Sequence, residues 1–149
     1  MIRASQAFAA FRQSVISELQ EDLMVNFVPN FNAEVFDIQK EFEDIHEYTT
    51  ENISDAAKAK MLELAEKKRH ARTMDLMFRK NKFLESMTLT MKVQMLDRVK
   101  EYGGEQFEET ETRENSTRTR KVLKAKFPDG SVAKIPQQLH IDWSLFQRV

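Results

Sequence analysis

The stretch "MTLTMKVQM", residues 87–95, admits two readings, and the fold turns on which is right. Met87, Leu89, Met91, Val93 and Met95 alternate strictly with polar residues, as in a half-buried strand. Wound as a helix, the region divides differently. Leu84, Met87, Met91, Met95 and Val99 form one apolar stripe, Leu89, Val93 and Leu96 a second, and Thr90, Gln94, Asp97 and Glu101 the polar remainder. Both flanks carry helical periodicity and the first stop signal is the glycine pair at 103 and 104, so the spacing favours a helix. A helix apolar on two sides packs on two sides, either at the centre of its bundle or against a partner subunit.

Outward from this segment, the chain lacks the residues that punctuate secondary structure. It has only three glycines and three prolines, none between Pro29 and Gly103, which predicts long helices joined by short polar links. Ser5 is placed to cap a first helix in which Phe8, Phe11, Val15, Leu19, Leu23 and Phe27 recur at three- and four-residue spacing until Pro29 stops it. Asn32 then caps a second helix, with Val35, Ile38, Phe42 and Ile45 on one side, fading at "YTTEN". Ser54 or Asn52 caps a third, with a bend near Asn81 and a glycine cap at Gly103 or Gly104.

Beyond Gly104 the pattern changes to strands. In "FEETETRENSTRTRKV", residues 107–122, threonines alternate first with glutamates and then with arginines about "RENS". A four-residue turn at 113–116 sets Glu111 opposite Arg118, Glu109 opposite Arg120, Glu108 opposite Lys121 and Phe107 opposite Val122, every pair complementary. Both faces are polar as far as Phe107 and Val122, so the tip is expected to project as an arm whose contact residues are Glu109, Glu111, Arg113, Asn115, Arg118 and Arg120. The strand continues through "VLKAKF", turns at "PDGS" and returns as "VAKIP". Leu123 then meets Ile135, Ala125 meets Ala133, and Lys124, Lys126 and Lys134 share the outer face. Asp142 is placed to cap a last short turn. The fold class is therefore mainly α with a small C-terminal antiparallel β-sheet (α+β), a helical body at 1–104 and the hairpin arm and sheet at 105–149 packed on it as one domain.

Composition narrows the function classes. At 149 residues the chain is long enough for one core. With no cysteine there is no disulfide, thiolate metal site or cysteine nucleophile. The N-terminal region lacks the unbroken apolar run of a secretion signal, and no window approaches a membrane span, so we expect cytoplasmic synthesis and no membrane partner. There is no glycine-framed serine and no glycine-rich phosphate loop, and His46, His70 and His140 have no serine and acid companions. Glu43 and His46 have the spacing of a helical metal pair, but no second pair accompanies them, and a solvated acidic face is the simpler reading. The expectation is a non-enzymatic chain with no cofactor, metal or small-molecule substrate.

Charge is unevenly spread. Glu34–Asp55 carries eight acids against one lysine, and Lys58–Lys82 nine bases against three acids. The basic segment offers Lys67, Lys68, Arg69, Arg72, Arg79 and Lys80 as phosphate contacts, although no aromatic residues interleave with them. Two oppositely charged helices lying side by side explain the same pattern. Trp143 is a candidate partner anchor, or a residue that closes the core. A helical body followed by a small sheet is similar, in element order and not by any motif, to the small terminase subunits of tailed phages. We expect an assembly protein, in a phage or virion setting (capsid, neck or tail), a homo-oligomer that acts through its helices and arm. The alternative is a small-terminase-like, oligomeric nucleic-acid-binding adaptor using the basic helix.

Overall fold

The computed structural model describes residues 2–49, 53–112 and 117–149. Helices α1 (Ala4–Asp22), α2 (Val28–Thr49) and α3 (Asp55–Glu101) precede strands β1 (Glu105–Thr112), β2 (Thr119–Lys126) and β3 (Val132–Lys134), followed by one 3-10 turn, Trp143–Leu145. The chain is thus mainly helical with a small three-stranded antiparallel sheet, in the order β1-β2-β3. Residues 87–95 are helical, in the interior of the 47-residue α3. Met87, Met91, Met95 and Val99 are buried, whereas Leu89 and Val93 on the second stripe are 63% and 49% exposed. The described residues cover the first apolar side and leave most of the second open, Leu96 alone of its three being half-buried.

Both ends of α3 are capped as its sequence specifies. The Ser54 hydroxyl accepts the Ala57 N–H at 3.3 Å. At the other end Gly103 takes φ +70, its N–H bonds to the Lys100 carbonyl, and the Gly104 N–H bonds to the Val99 carbonyl. That pair of bonds is a Schellman cap, which needs a left-handed residue at Gly103.

The start of the chain departs from expectation in three places. Ser5 does not cap α1. The Ala4 N–H donates to the Asp129 carboxylate at 2.7 Å and the Ser5 N–H to the Ser131 hydroxyl at 3.0 Å, so the orphan donors of α1 are met by the β2–β3 turn. Nor does Pro29 stop the helix. Leu23–Phe27 form one π-helical turn, closed by the Val28 N–H on the Leu23 carbonyl, and α2 follows at once. The widened turn sets Pro29 second in α2, where a missing amide hydrogen costs least, and Asn30 donates its side-chain amide to the Asn26 carbonyl at 2.9 Å. Asn32, no longer a cap, holds the C-terminal segment: it donates to the Leu145 carbonyl at 3.0 Å and accepts the Gln147 N–H at 2.8 Å.

Contacts gather into two compact units, Met1–Glu21 with Glu85–Ile141 and Asp22–Leu84 with Asp142–Val149. In the first, the core joins Phe8 of α1, the methionine stripe of α3, and Ala125, Phe127, Ala133 and Ile135 of the sheet region. Phe127 lies 5.7 Å from the Phe8 ring and 6.1 Å from that of Tyr102. In the second, Phe27 stacks on Phe83 at 4.2 Å, Phe31 meets Phe146 edge-on at 5.2 Å, and Val35, Ile38, Ala65 and Leu76 are buried.

The β2–β3 hairpin forms as its sequence predicts. Ala125 pairs with Ala133, the Ile135 N–H bonds to the Leu123 carbonyl, and the turn closes with the Gly130 N–H on the Phe127 carbonyl. Asp142 caps the final 3-10 turn through the Ser144 N–H.

The helix assignment makes a direct prediction. Met91→Ala should cost about 2–5 kcal/mol of unfolding free energy, while Leu89→Ala, at a dilution where the chain is monomeric, should lie within about 0.5 kcal/mol of the parent. Denaturant titration of both variants checks it, since a strand would make the two substitutions equivalent.

Candidate interaction surfaces

The arm forms, with a register two residues from the expected one. Glu111 pairs with Arg120 instead of Arg118, Glu109 with Val122 instead of Arg120, and Phe107 with Lys124 instead of Val122. A slip of two keeps every side chain on its face, so the alternation alone does not choose between the two registers. The choice falls to the lysines of the inner hairpin. Lys124 and Lys134 stand directly opposite each other on the outer face, a like-charge pair that needs acids nearby. In the observed register Lys124 reaches Glu109 at 2.6 Å and Glu111 at 3.4 Å, Lys134 reaches Glu111 at 3.4 Å, and Arg120 lies 3.9 Å from Glu111. One glutamate therefore serves three cations across three strands.

The titration of these groups reflects that arrangement. Partial desolvation pushes the Glu111 carboxyl up, but the hydrogen bonds and charges of Lys124 and Lys134 outweigh it and hold the carboxyl below the usual glutamate range. Lys124, whose side chain is only 16% exposed, is raised first by its hydrogen bond to Glu109. Glu111 is the least exposed of the eight β1 residues, so this cluster adds to the β1–β2 ladder an anchor for a strand that is otherwise largely solvated. Arg118 lies between the strands, outside both, and Arg113 and Asn115 lie outside the described residues.

The six basic residues singled out on α3 face acids and rings. Arg79 makes a two-pronged contact with Glu34 of α2, one arm at 2.9 Å, and bonds to Asp75 at 3.0 Å. Arg72 bonds to Glu41, Lys68 lies 3.8 Å from the same carboxylate, Lys67 pairs with Glu63 and Arg69 with Glu66. Arg69 also covers the Phe42 ring at 4.4 Å, and Lys80 sits between 5.1 and 5.4 Å from the rings of Phe31, Trp143 and Phe146. The Glu34 and Glu41 carboxyls are held low, chiefly by their hydrogen bonds from Arg79 and Arg72. Lys68, Arg72 and Arg79 thus pair across to two carboxylates of α2, while Lys67 and Arg69 pair within α3, all at the solvent-exposed surface. Trp143 does not close the core, being 58% exposed.

Glu43 and His46 border a cavity of about 720 Å³ between α2 and α3, with Glu63 and Glu66 across it and Phe42 and Leu62 on its floor. Among the described residues no three histidine or carboxylate groups gather as a metal would need, and no helix is long and apolar enough to cross a membrane. A second cavity, about 560 Å³, opens beside β2 and is lined by both basic and aliphatic residues. Sequence reasoning did not find it, because it arises where β3 ends early. No family model matches the chain, and neither the curated proteins nor the solved structures provide a match to it.

The depressed Glu111 carboxyl fixes the sign of an acid response. Its folded value lies below the unfolded one of 4.5, so its contribution is complete above that pH and is lost as pH falls through the lowered range. Protection of the Phe107 and Glu109 amides, measured as exchange relative to the intrinsic rate at each pH, should fall below pH 4.5 in the parent and lose most of that dependence in Glu111→Gln.

Proposed function

We propose that the chain is a non-enzymatic assembly protein that acts through protein–protein contacts of its helices and its hairpin arm. The observation that carries this reading is the second apolar stripe of α3, where Leu89 and Val93 lie exposed one turn apart on a stretch whose opposite side, Met87, Met91, Met95 and Val99, is buried. Apolar residues at that spacing form a docking face when a second helix lies along them. Phe78 and Met74 repeat the pattern earlier in α3 and are also exposed. The arm supports the same reading, since its polar strands are held by an ion cluster and leave most of their surface to solvent. A homo-oligomer, in a repeating structure such as a phage particle or virion, is the setting such a part suits. The charge matching between α2 and α3 makes the nucleic-acid adaptor the weaker reading, as those cations already face carboxylates.

Mass measurement in solution tests this directly. The parent is expected to exceed its 17.5 kDa chain mass in a concentration-dependent way. The double variant Leu89→Asp and Val93→Asp should fall to a monomer while keeping its helical circular dichroism. Reversing Glu109 and Glu111 to lysine should impair assembly and leave the helices folded. A parent that is monomeric throughout, or whose mass rises only when DNA is added, overturns the proposal.

A further inference from the structure

The sheet contains an unfinished edge. β3 pairs with β2 only from Lys124 to Lys126, and beyond it the Ile135 N–H reaches the Leu123 carbonyl at 2.9 Å. The next residue is Pro136, and no further bond to β2 follows it among the described residues. β2 itself runs four residues further along, to Thr119, with β1 on its other side throughout. Backbone groups in a strand point to alternate sides. Because Leu123 and Ala125 point toward β3, Lys121 and Thr119 point the same way, into a position that no strand occupies among the described residues.

That position is the 560 Å³ cavity, and its walls are specific in character. Arg12, Arg120, Lys121 and Lys134 line it, with no acid among the lining residues. Arg12 is fixed by its bond to the Lys134 carbonyl at 2.7 Å, at the point where β3 stops. The salt bridges of the other three within the chain are long: Arg120 and Lys134 share Glu111 at 3.9 and 3.4 Å, and Lys121 is 3.9 Å from Glu108. Ile16 of α1 and Leu123 give the inner wall an aliphatic character.

We infer that this notch is a docking site for an extended acidic segment of a partner protein, which adds as a strand beside Thr119–Leu123 in the place β3 vacates. Strand addition satisfies the outward N–H and C=O groups of Thr119 and Lys121. The pleat sends alternate side chains of the incoming segment to opposite faces. On the outer face they meet Arg120 and Lys134, which select glutamate or aspartate. On the inner face they meet Ile16 and Leu123, which select valine or isoleucine. Charge complementarity and the paired-edge geometry together favour a peptide over a nucleic acid, whose backbone has no alternating donors and acceptors to match a strand. This inference is independent of the exposed stripe on α3.

The probe is an acetylated and amidated Glu-Val-Glu-Val-Glu peptide, titrated into the isotope-labelled full chain at low salt. Binding should slow amide exchange at Thr119 and Lys121 and shift the Ile16 and Leu123 methyl signals. A version N-methylated on the residues that face β2 keeps every charge but cannot form the ladder, and should bind at least tenfold more weakly. The pair Arg120→Glu and Lys134→Glu should weaken the unmethylated peptide by a similar factor or more. If the N-methylated peptide binds equally well, the contact is charge alone and strand addition is wrong. A single-stranded oligonucleotide that shifts the same signals while the peptide shifts none assigns the notch to nucleic acid and overturns the proposal.

Discussion

The seat of Phe127 is the contact on which the first unit depends. Its ring is buried against Phe8 of α1 and Tyr102 at the end of α3, and it lies so close to the backbone at Gly104 that a Cβ added there would stand 2.9 Å from its Cδ1 and 3.1 Å from Val99. No side chain fits in that gap, so the glycine pair has two separate duties. Gly103 supplies the left-handed turn that ends α3, and Gly104 lets the sheet begin at once beneath the helix end. From the same ring the chain enters the turn whose Asp129 and Ser131 meet the first N–H groups of α1. One aromatic residue thereby fixes where a helix begins, where another ends and how β2 and β3 are joined. The Asp129 carboxyl, held low first by Ser131 and then by the Ala4 N–H, shows that this joint is electrostatic as well as apolar.

Most of the architecture was legible because it rests on local rules. The glycine-free middle, the Ser54 and Gly103 caps, the "PDGS" turn and the Ala125 and Ala133 pair each follow from residues near one another in sequence. The failures share a physical character. Ser5 and Asn32 look in sequence like local caps, but their partners are more than 100 residues away, at Ser131 and at Leu145 and Gln147. Pro29 looks like a stop, whereas a single π turn absorbs it, with the Asn30 side chain donating to the Asn26 carbonyl beside the altered ladder. The arm's own residues allow two registers, and the deciding charges, Lys124 and Lys134, lie on the inner hairpin outside the arm.

The candidate surfaces were less legible for a related reason. The sequence marked the basic run on α3 as a surface feature, and its structural surroundings, Glu34 and Glu41 of α2, turn that run into half of an ion-paired seam. Conversely, the two apolar stripes on α3 looked equivalent in sequence, and only folding distinguishes Met91, which is buried, from Leu89, which is not. Periodicity says which residues share a face, and not which face finds a neighbour.

The bonds that tie Ala4 to Asp129 and Asn32 to Gln147 also set an order of events during synthesis. Each compact unit is built from pieces far apart in the chain, and neither is complete until its late piece has left the ribosome. Until the β2–β3 turn has emerged, α1 lacks its cap, and the methionine stripe of α3 lacks Ala125, Phe127 and Ile135, the sheet side chains of its core. Closing loops of this length costs chain entropy before any contact rewards it. Before that point the chain exposes two apolar sides of α3 where the folded one exposes mainly a single side, and that interval is when the helix is most open to wrong partners.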